Sequence, residues 1–135
     1  MPAESPAERA VAAEARFFLT GANHRTASQE LRDALFVEDR ALPGFYERLR
    51  AVGVEEAMVL STCDRVIVAA VADEPEAAAR RIRRLLAEGA GISDERIEGA
   101  FLTWHGVDAL EHLFAIAASL ESQVVGEPEV LGQVR

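Results

Sequence analysis

Phe17-Phe18-Leu19-Thr20-Gly21 is a short apolar run closed by glycine and predicts a strand. Asn23-His24-Arg25-Thr26 is a polar turn, after which Thr26 or Ser28 can cap a helix with Leu31, Ala34 and Leu35 at helical spacing. Pro43 suits the first turn of a second helix. Phe45, Leu49 and Val52 give that helix an apolar face, and Gly53 stops it. Residues 57–60 and 66–71 are β-rich runs, joined by the polar segment Ser61-Thr62-Cys63-Asp64-Arg65 in the manner of a hairpin. Asp73 is a candidate cap for the next helix. There Ile82, Leu85 and Leu86 face inward, Arg80, Arg81 and Arg84 cluster outward, and Gly89 and Gly91 end the element. Residues 101–105 predict a fourth strand, and Gly106 turns it into a helix whose core face is Val107, Leu110, Leu113, Phe114 and Ala117. Gly126 breaks that helix, and residues 127–135 read as the start of another.

The order strand, helices, strand, strand, helix, strand, helix is that of an α+β fold. We expect a ferredoxin-like βαββαβ sandwich with an extra helix, its antiparallel sheet carrying helices on one face. The length of 135 residues fits one domain, and half the chain is hydrophobic, enough for a core of that size. Residues 1–15 are acidic and rich in Ala and Pro, and read as a flexible or partly helical lead-in rather than a secretory signal. No apolar run approaches the roughly 18–20 residues of a membrane span.

The net charge of −9 argues against a general nucleic-acid binder, while leaving room for one local basic patch. All 14 basic residues are arginine. The single cysteine forms no internal disulfide and, without a signal peptide, suggests a reducing, cytoplasmic setting. A buried structural role is the usual fate of a lone thiol. Cys63 instead follows a strand inside a polar segment, at a rim suited to a nucleophile. Arg65 beside it favours the thiolate, and Asp64 opposes that.

Each histidine has a bland reading and a functional one. His105 suits a polar strand end, and His24 suits turn hydrogen bonding. His112 fits the edge of a helical core face, or a general acid or base with an ordinary pKa near neutrality. Cys63 and the histidines lack metal-ligand spacing, so no metal is expected. Gly89-Ala90-Gly91 follows a helix rather than a strand, and Gly126 and Gly132 stand outside a G-x-G-x-x-G frame, so no dinucleotide fingerprint is visible. The polar, glycine-bearing segment 121–133 reads either as a linker with a helix start or as the wall of a polar ligand pocket.

Three segments together resemble glutamyl-tRNA reductases. Gly21-Ala22-Asn23-His24-Arg25-Thr26-Ala27, with Glu30-Leu31-Arg32, resembles the opening G-x-N-H-x-T-A turn and helix of that family. Leu60-Ser61-Thr62-Cys63-Asp64-Arg65 is similar to its L-S-T-C-N-R. His112-Leu113-Phe114 through Ser122, then Gly126-Glu127-Pro128-Glu129-Val130-Leu131-Gly132-Gln133-Val134, resembles H-L-F…D-S-x-V-x-G-E-P-Q-I-L-G-Q-V. Order and spacing hold from about Phe17 onward.

The resemblance implies reduction of glutamyl-tRNA by NADPH to glutamate-1-semialdehyde, the entry to tetrapyrrole and haem synthesis, through a cysteine thioester. Cys63 would be the nucleophile, and His112 would assist proton transfer to the departing ribose oxygen. Thr62, Asp64, Arg65, Ser122, Glu127, Pro128, Glu129 and Gln133 match substrate-binding positions, with Arg65 a natural partner for a glutamate carboxylate. Asp64 and Glu129 stand where the family usually has amides, and add negative charge beside an anionic substrate. Ser119 stands where Gly is common.

The same resemblance implies a catalytic domain over 16–122 and a connecting helix beginning at 123–135. An NADPH-binding domain and a dimerisation domain would follow, in an enzyme that is homodimeric when whole. Alone, the chain is then expected to form the thioester and lose it to water as an esterase, without completing the reduction. Alternatives are a tRNA- or partner-binding module using Arg80, Arg81 and Arg84 on phosphate, or an inert fragment.

Overall fold

The computed structural model describes residues 5–54, 56–62 and 64–126, the last seven by backbone alone. The chain opens with α1 (Pro6–Arg16), where a flexible lead-in was one expectation. A capping box starts this helix: the Ser5 hydroxyl accepts from the Glu8 N–H, and the Glu8 carboxylate accepts from the Ser5 N–H. Then follow β1 (Phe17–Asn23), α2 (Gln29–Leu35), a single 3-10 turn (Asp39–Ala41), α3 (Leu42–Ala51), β2 (Glu56–Ser61) and β3 (Arg65–Val71). The chain continues as α4 (Pro75–Ala90), the short α5 (Asp94–Glu98), β4 (Leu102–His105) and α6 (Gly106–Gly126).

The four strands form one antiparallel sheet in the order β2-β3-β1-β4. Its central pair runs in register from Phe17 opposite Val71 to Asn23 opposite Arg65. This is the ferredoxin-like order expected from the element sequence.

Side chains alternate across the sheet, and both faces are buried. Phe18, Ala22, Val66, Val68 and Ala70 pack with Leu35, Phe45, Leu49, Ile82, Leu86 and Ile97, so α2 to α5 cover one face. Leu19, Ile67 and Ala69 point the other way and meet Ala109 and Ile116 of α6. The expected covering of a single face is therefore corrected: the extra helix closes the second face. That explains why β1 and β3 read as continuous apolar runs rather than alternating ones.

The inward stripe of α6 also differs from the expectation. Ala109 and Ile116 are buried, while Val107 is 48% exposed and Phe114 is 68% exposed. The apolar arc of the helix is wider than the stripe that becomes buried, so its own periodicity allows more than one rotation. Contact with Leu19 and Ile67 selects one of them. Ile82→Ala is accordingly expected to cost about 2–5 kcal/mol, whereas Phe114→Ala should stay within about 0.5 kcal/mol. Urea midpoints of the two variants test this, and equal losses would refute the packing.

Two expected details of α4 change. Asp73 does not cap the helix: it pairs with Arg16 at 2.9 Å, and the N-cap Glu74 makes no side-chain cap bond. Gly91, with φ of 69°, closes the helix in the left-handed region, whereas Gly89 lies inside it.

α5, which the sequence pattern did not reveal, is fastened by a fork. Arg83 Nε donates to Asp94 Oδ1 at 2.7 Å and Nη2 donates to Oδ2 at 3.0 Å. The hydrogen bonds from Arg83 hold the Asp94 carboxyl below its ordinary value and raise Arg83. A depressed carboxylate stabilises the fold above its unfolded pKa, and that contribution disappears as pH falls through the lower folded value. Asp94→Asn is expected to cost about 1–2 kcal/mol at neutral pH and to flatten the acid limb of stability. An unchanged acid limb in urea titrations from pH 2 to pH 7 would reject the assignment.

Candidate functional site

The candidate site forms at the sheet end that carries the β2–β3 hairpin. Arg65 is the first residue of β3 and pairs with Asn23, the last of β1. The hairpin closes through the Thr62 N–H, which donates to the Arg65 carbonyl at 2.8 Å. The Thr62 hydroxyl accepts from the Asp64 N–H at 3.3 Å. Ser61 fastens the other side of the hairpin, its hydroxyl accepting from the Val37 N–H at 2.9 Å. The connector that includes Cys63 is therefore short and anchored at both ends. Cys63 itself lies outside the described residues, as do Glu127, Pro128, Glu129 and Gln133. Ser122 is placed on the backbone of α6.

The adjoining turn is built by its own polar residues. Asn23 Oδ1 accepts from the N–H groups of Arg25 (2.9 Å) and Thr26 (3.2 Å). The Asn23 N–H donates to Thr26 Oγ1 at 3.1 Å, and the Asn23 carbonyl takes the Ala27 N–H at 2.9 Å. His24 is exposed and the turn bonds belong to its neighbours, so the turn role considered for it falls to Asn23 and Thr26. Ser28, rather than Thr26, caps α2 by accepting from Leu31 N–H.

Behind this turn, Gly21 lies so close to β3 that an added Cβ would meet the Val66 carbonyl oxygen and stand 2.8 Å from Ile67 Cα. Glycine is needed here for close approach of two backbones.

α2 reaches the hairpin as well. Arg32, whose side chain is only 13% exposed, lies 4.0 Å from the carboxylate of Asp64. The negative charge at position 64, noted above as a departure, thus has a cation facing it.

On the second face, His112 of α6 stacks on Trp104 of β4, with ring centroids 3.9 Å apart and planes 14° from parallel. Partial burial pushes the His112 imidazole below its ordinary pKa, and the positive charge of Arg65 acts in the same direction. Both effects favour the neutral ring, which can accept a proton. The fold thus brings together Arg65 and His112, which stand 47 positions apart in sequence, and supplies two neighbours that the sequence reading did not single out. Trp104 could have been found from the strand–glycine–helix pattern, because the reversal at Gly106 folds α6 back over β4. Arg32 lay within the quoted Glu30-Leu31-Arg32 segment, but nothing local linked it to the hairpin.

The arginine cluster of α4 faces outward as expected, with Arg80, Arg81 and Arg84 all exposed. Arg81 donates to the Val52 carbonyl at 3.4 Å, and Arg84 lies 3.8 Å from Asp94. Arg80 lines a cleft with Glu74, Glu76 and His105, where the carboxylates oppose an anion. His105 is exposed at the end of β4, in tilted contact with Phe18 at 6.5 Å. Among the described residues no helix is long and apolar enough to cross a membrane.

The chain matches the family model for the glutamyl-tRNA(Glu) reductase N-terminal domain over residues 20–135. It is 40% identical over 119 residues to glutamyl-tRNA reductase of Rhodospirillum rubrum, covering 88% of this chain and 28% of that protein. It is 36% identical over 121 residues to that of Solibacter usitatus, covering 89% of this chain and 29% of that one. Among solved structures it resembles glutamyl-tRNA reductase from Methanopyrus kandleri, with a TM-score of 0.57 and 26% identity over 88% of this chain and 26% of that one. The chain thus spans less than a third of the length of these relatives, and within that span it belongs to the N-terminal domain family of glutamyl-tRNA reductases.

Proposed function

We propose that this chain provides the substrate-binding, thiol-acylating part of a glutamyl-tRNA reductase acting in tetrapyrrole synthesis in the cytoplasm. The observation that supports this most is the convergence of Arg65 and neutral His112 beside the anchored hairpin that carries Cys63. His112 takes the proton of the Cys63 thiol. The thiolate then attacks the carbonyl of the ester that joins glutamate to the terminal ribose of tRNA. A C–S bond forms, the C–O bond to the ribose breaks, and His112 returns the proton to the ribose oxygen. The products are a glutamyl thioester and free tRNA.

Arg65 offers a guanidinium to the glutamate carboxylate. Thr62 and Asp64 belong to the same contact segment, with Arg32 offsetting the charge of Asp64. Ser122, Glu127, Pro128, Glu129 and Gln133 complete the substrate wall, and residues 123–135 lead toward the next domain. The domain itself comprises residues 16–122.

NADPH supplies the hydride that would release glutamate-1-semialdehyde in the whole, homodimeric enzyme. The described residues do not fit that cofactor. Their sheet is antiparallel, and the one direct strand-to-helix turn, at Gly106, has the Glu14 carboxylate 3.5 Å from where a Cβ would stand. A pyrophosphate there would meet a negative charge. The acylation half-reaction is the part assigned here to this chain's own residues.

Incubation of the folded chain with glutamyl-tRNA, without cofactor, should give a glutamyl adduct by intact-mass analysis. The same experiment on Cys63→Ala should give none. Absence of the adduct from folded wild-type protein with intact substrate would reject the acylation reading.

A further inference from the structure

We propose that Trp104 is a positioning residue, a flat π surface on which the charged form of His112 is held while it carries the proton. This rests on the role proposed for His112 above. The two rings are near-parallel with centroids 3.9 Å apart, well inside the roughly 6 Å at which a cation is attracted to an indole face.

Both rings are fixed by the backbone. Trp104 lies opposite Leu19 in the β4–β1 pairing, and the adjacent Thr103 hydroxyl lies 3.0 Å from that of Thr20, the buried polar residue of the central strand. β4 ends at His105 and α6 begins at Gly106, whose φ of 58° reverses the chain without an intervening loop. The helix therefore has little freedom to slide along the strand, and the imidazole stays over the indole.

The stack has a chemical consequence. A proton shuttle must be neutral at rest and must then tolerate a charge. Burial and Arg65 of β3 secure the first condition. They also oppose the second, because Arg65 repels an imidazolium. On the face that α6 covers, β1 presents the apolar Leu19, and β4 presents Trp104 against His112 with no ionisable group on that face. On α6 itself, Asp108 and Glu111 are exposed, and Glu14 of α1 lies against Gly106 at the start of the helix. The indole contacts the ring directly and favours its positive form through its electron-rich face. It offsets the repulsion of Arg65 without supplying a carboxylate that would trap the proton.

Trp104 is the single tryptophan of the chain, so fluorotryptophan incorporation changes this ring alone. Ring fluorines weaken the negative face of the indole and nearly preserve its shape. We expect the proton affinity of His112, read by NMR titration of its ring C–H and assigned with His112→Gln, to fall with each added fluorine. Trp104→Leu, which keeps an apolar cover but has no π face, should lower that affinity about 3- to 10-fold and remove the ring-current displacement of the His112 resonance. Trp104→Phe should restore part of both.

A merely structural role predicts the opposite sign: loss of packing admits water, and the proton affinity of a partly buried histidine rises. A flat fluorine series, or a rise in Trp104→Leu, would overturn the proposal. If Trp104→Leu does not fold, the fluorine series decides. The titration needs no substrate, so its outcome is separable from that of the acylation experiment.

Discussion

Gly21→Ala is expected to unfold the chain, or to lower its stability by about 3–5 kcal/mol. The new methyl would lie against the Val66 carbonyl and 2.8 Å from Ile67 Cα. Both are backbone atoms of the neighbouring central strand, so no side-chain rotation relieves the contact. Relief would require β1 to part from β3 at the pair Gly21–Ile67 and the ladder bonds on either side to lengthen. β4 pairs with the same glycine from the other side, opposite Leu102, so the strand has no free direction in which to move. A domain of this size holds only about 5–15 kcal/mol in total. Far-UV circular dichroism and the urea midpoint read the effect, and a wild-type midpoint would show that the close approach is not present in solution. Glycine at this position thus lets two central strands approach closely.

The second large effect concerns Arg65. Arg65→Gln keeps a polar side chain and the backbone pairing with Asn23, so the fold should survive. It removes the cation proposed to meet the glutamate carboxylate. Losing a charge-assisted hydrogen bond of about 1.5–3 kcal/mol corresponds to roughly a 10- to 150-fold slower acylation at sub-saturating glutamyl-tRNA. The same substitution removes a positive charge that acts on His112. The sign follows directly: without that repulsion the imidazolium is easier to form, and the His112 titration midpoint rises toward the ordinary histidine value. The two readouts are measured separately, the midpoint without substrate and the rate with it. A slower reaction with an unmoved midpoint would separate Arg65 from His112. A shifted midpoint with an unchanged rate would remove Arg65 from substrate binding.

Much of the local structure was legible in the chain because it is decided within a few residues. The Asn23–Thr26 turn follows from a short amide side chain that can accept two successive N–H groups, and the start of α2 from the Ser28 hydroxyl. Gly91 and Gly106 mark points where the backbone turns with positive φ, and the polar segment between two β-rich runs marks the hairpin. The strand and helix order then leaves few ways to close an antiparallel sheet, and the ferredoxin-like one is observed.

What only the tertiary structure decided lies between distant elements. The rotation of α6 was open to the sequence because the apolar arc of the helix is wider than the stripe that becomes buried. It is set by the surface that Leu19 and Ile67 present, which buries Ile116 and leaves Phe114 outside. The continuous apolar runs of β1 and β3 did carry a signal that both sheet faces are covered, but not which element covers the second. The ion pairs followed the same rule: Asp73 took Arg16 rather than a helix end, Asp94 took Arg83, and Asp64 came to face Arg32. The site depends most on this level. Cys63, Arg65 and His112 stand out along the chain by residue type and motif. Yet the stack on Trp104, the burial of the imidazole and the reach of the Arg65 charge arise only when β3, β4 and α6 meet, because packing and Coulomb forces act through space and leave no mark on local sequence.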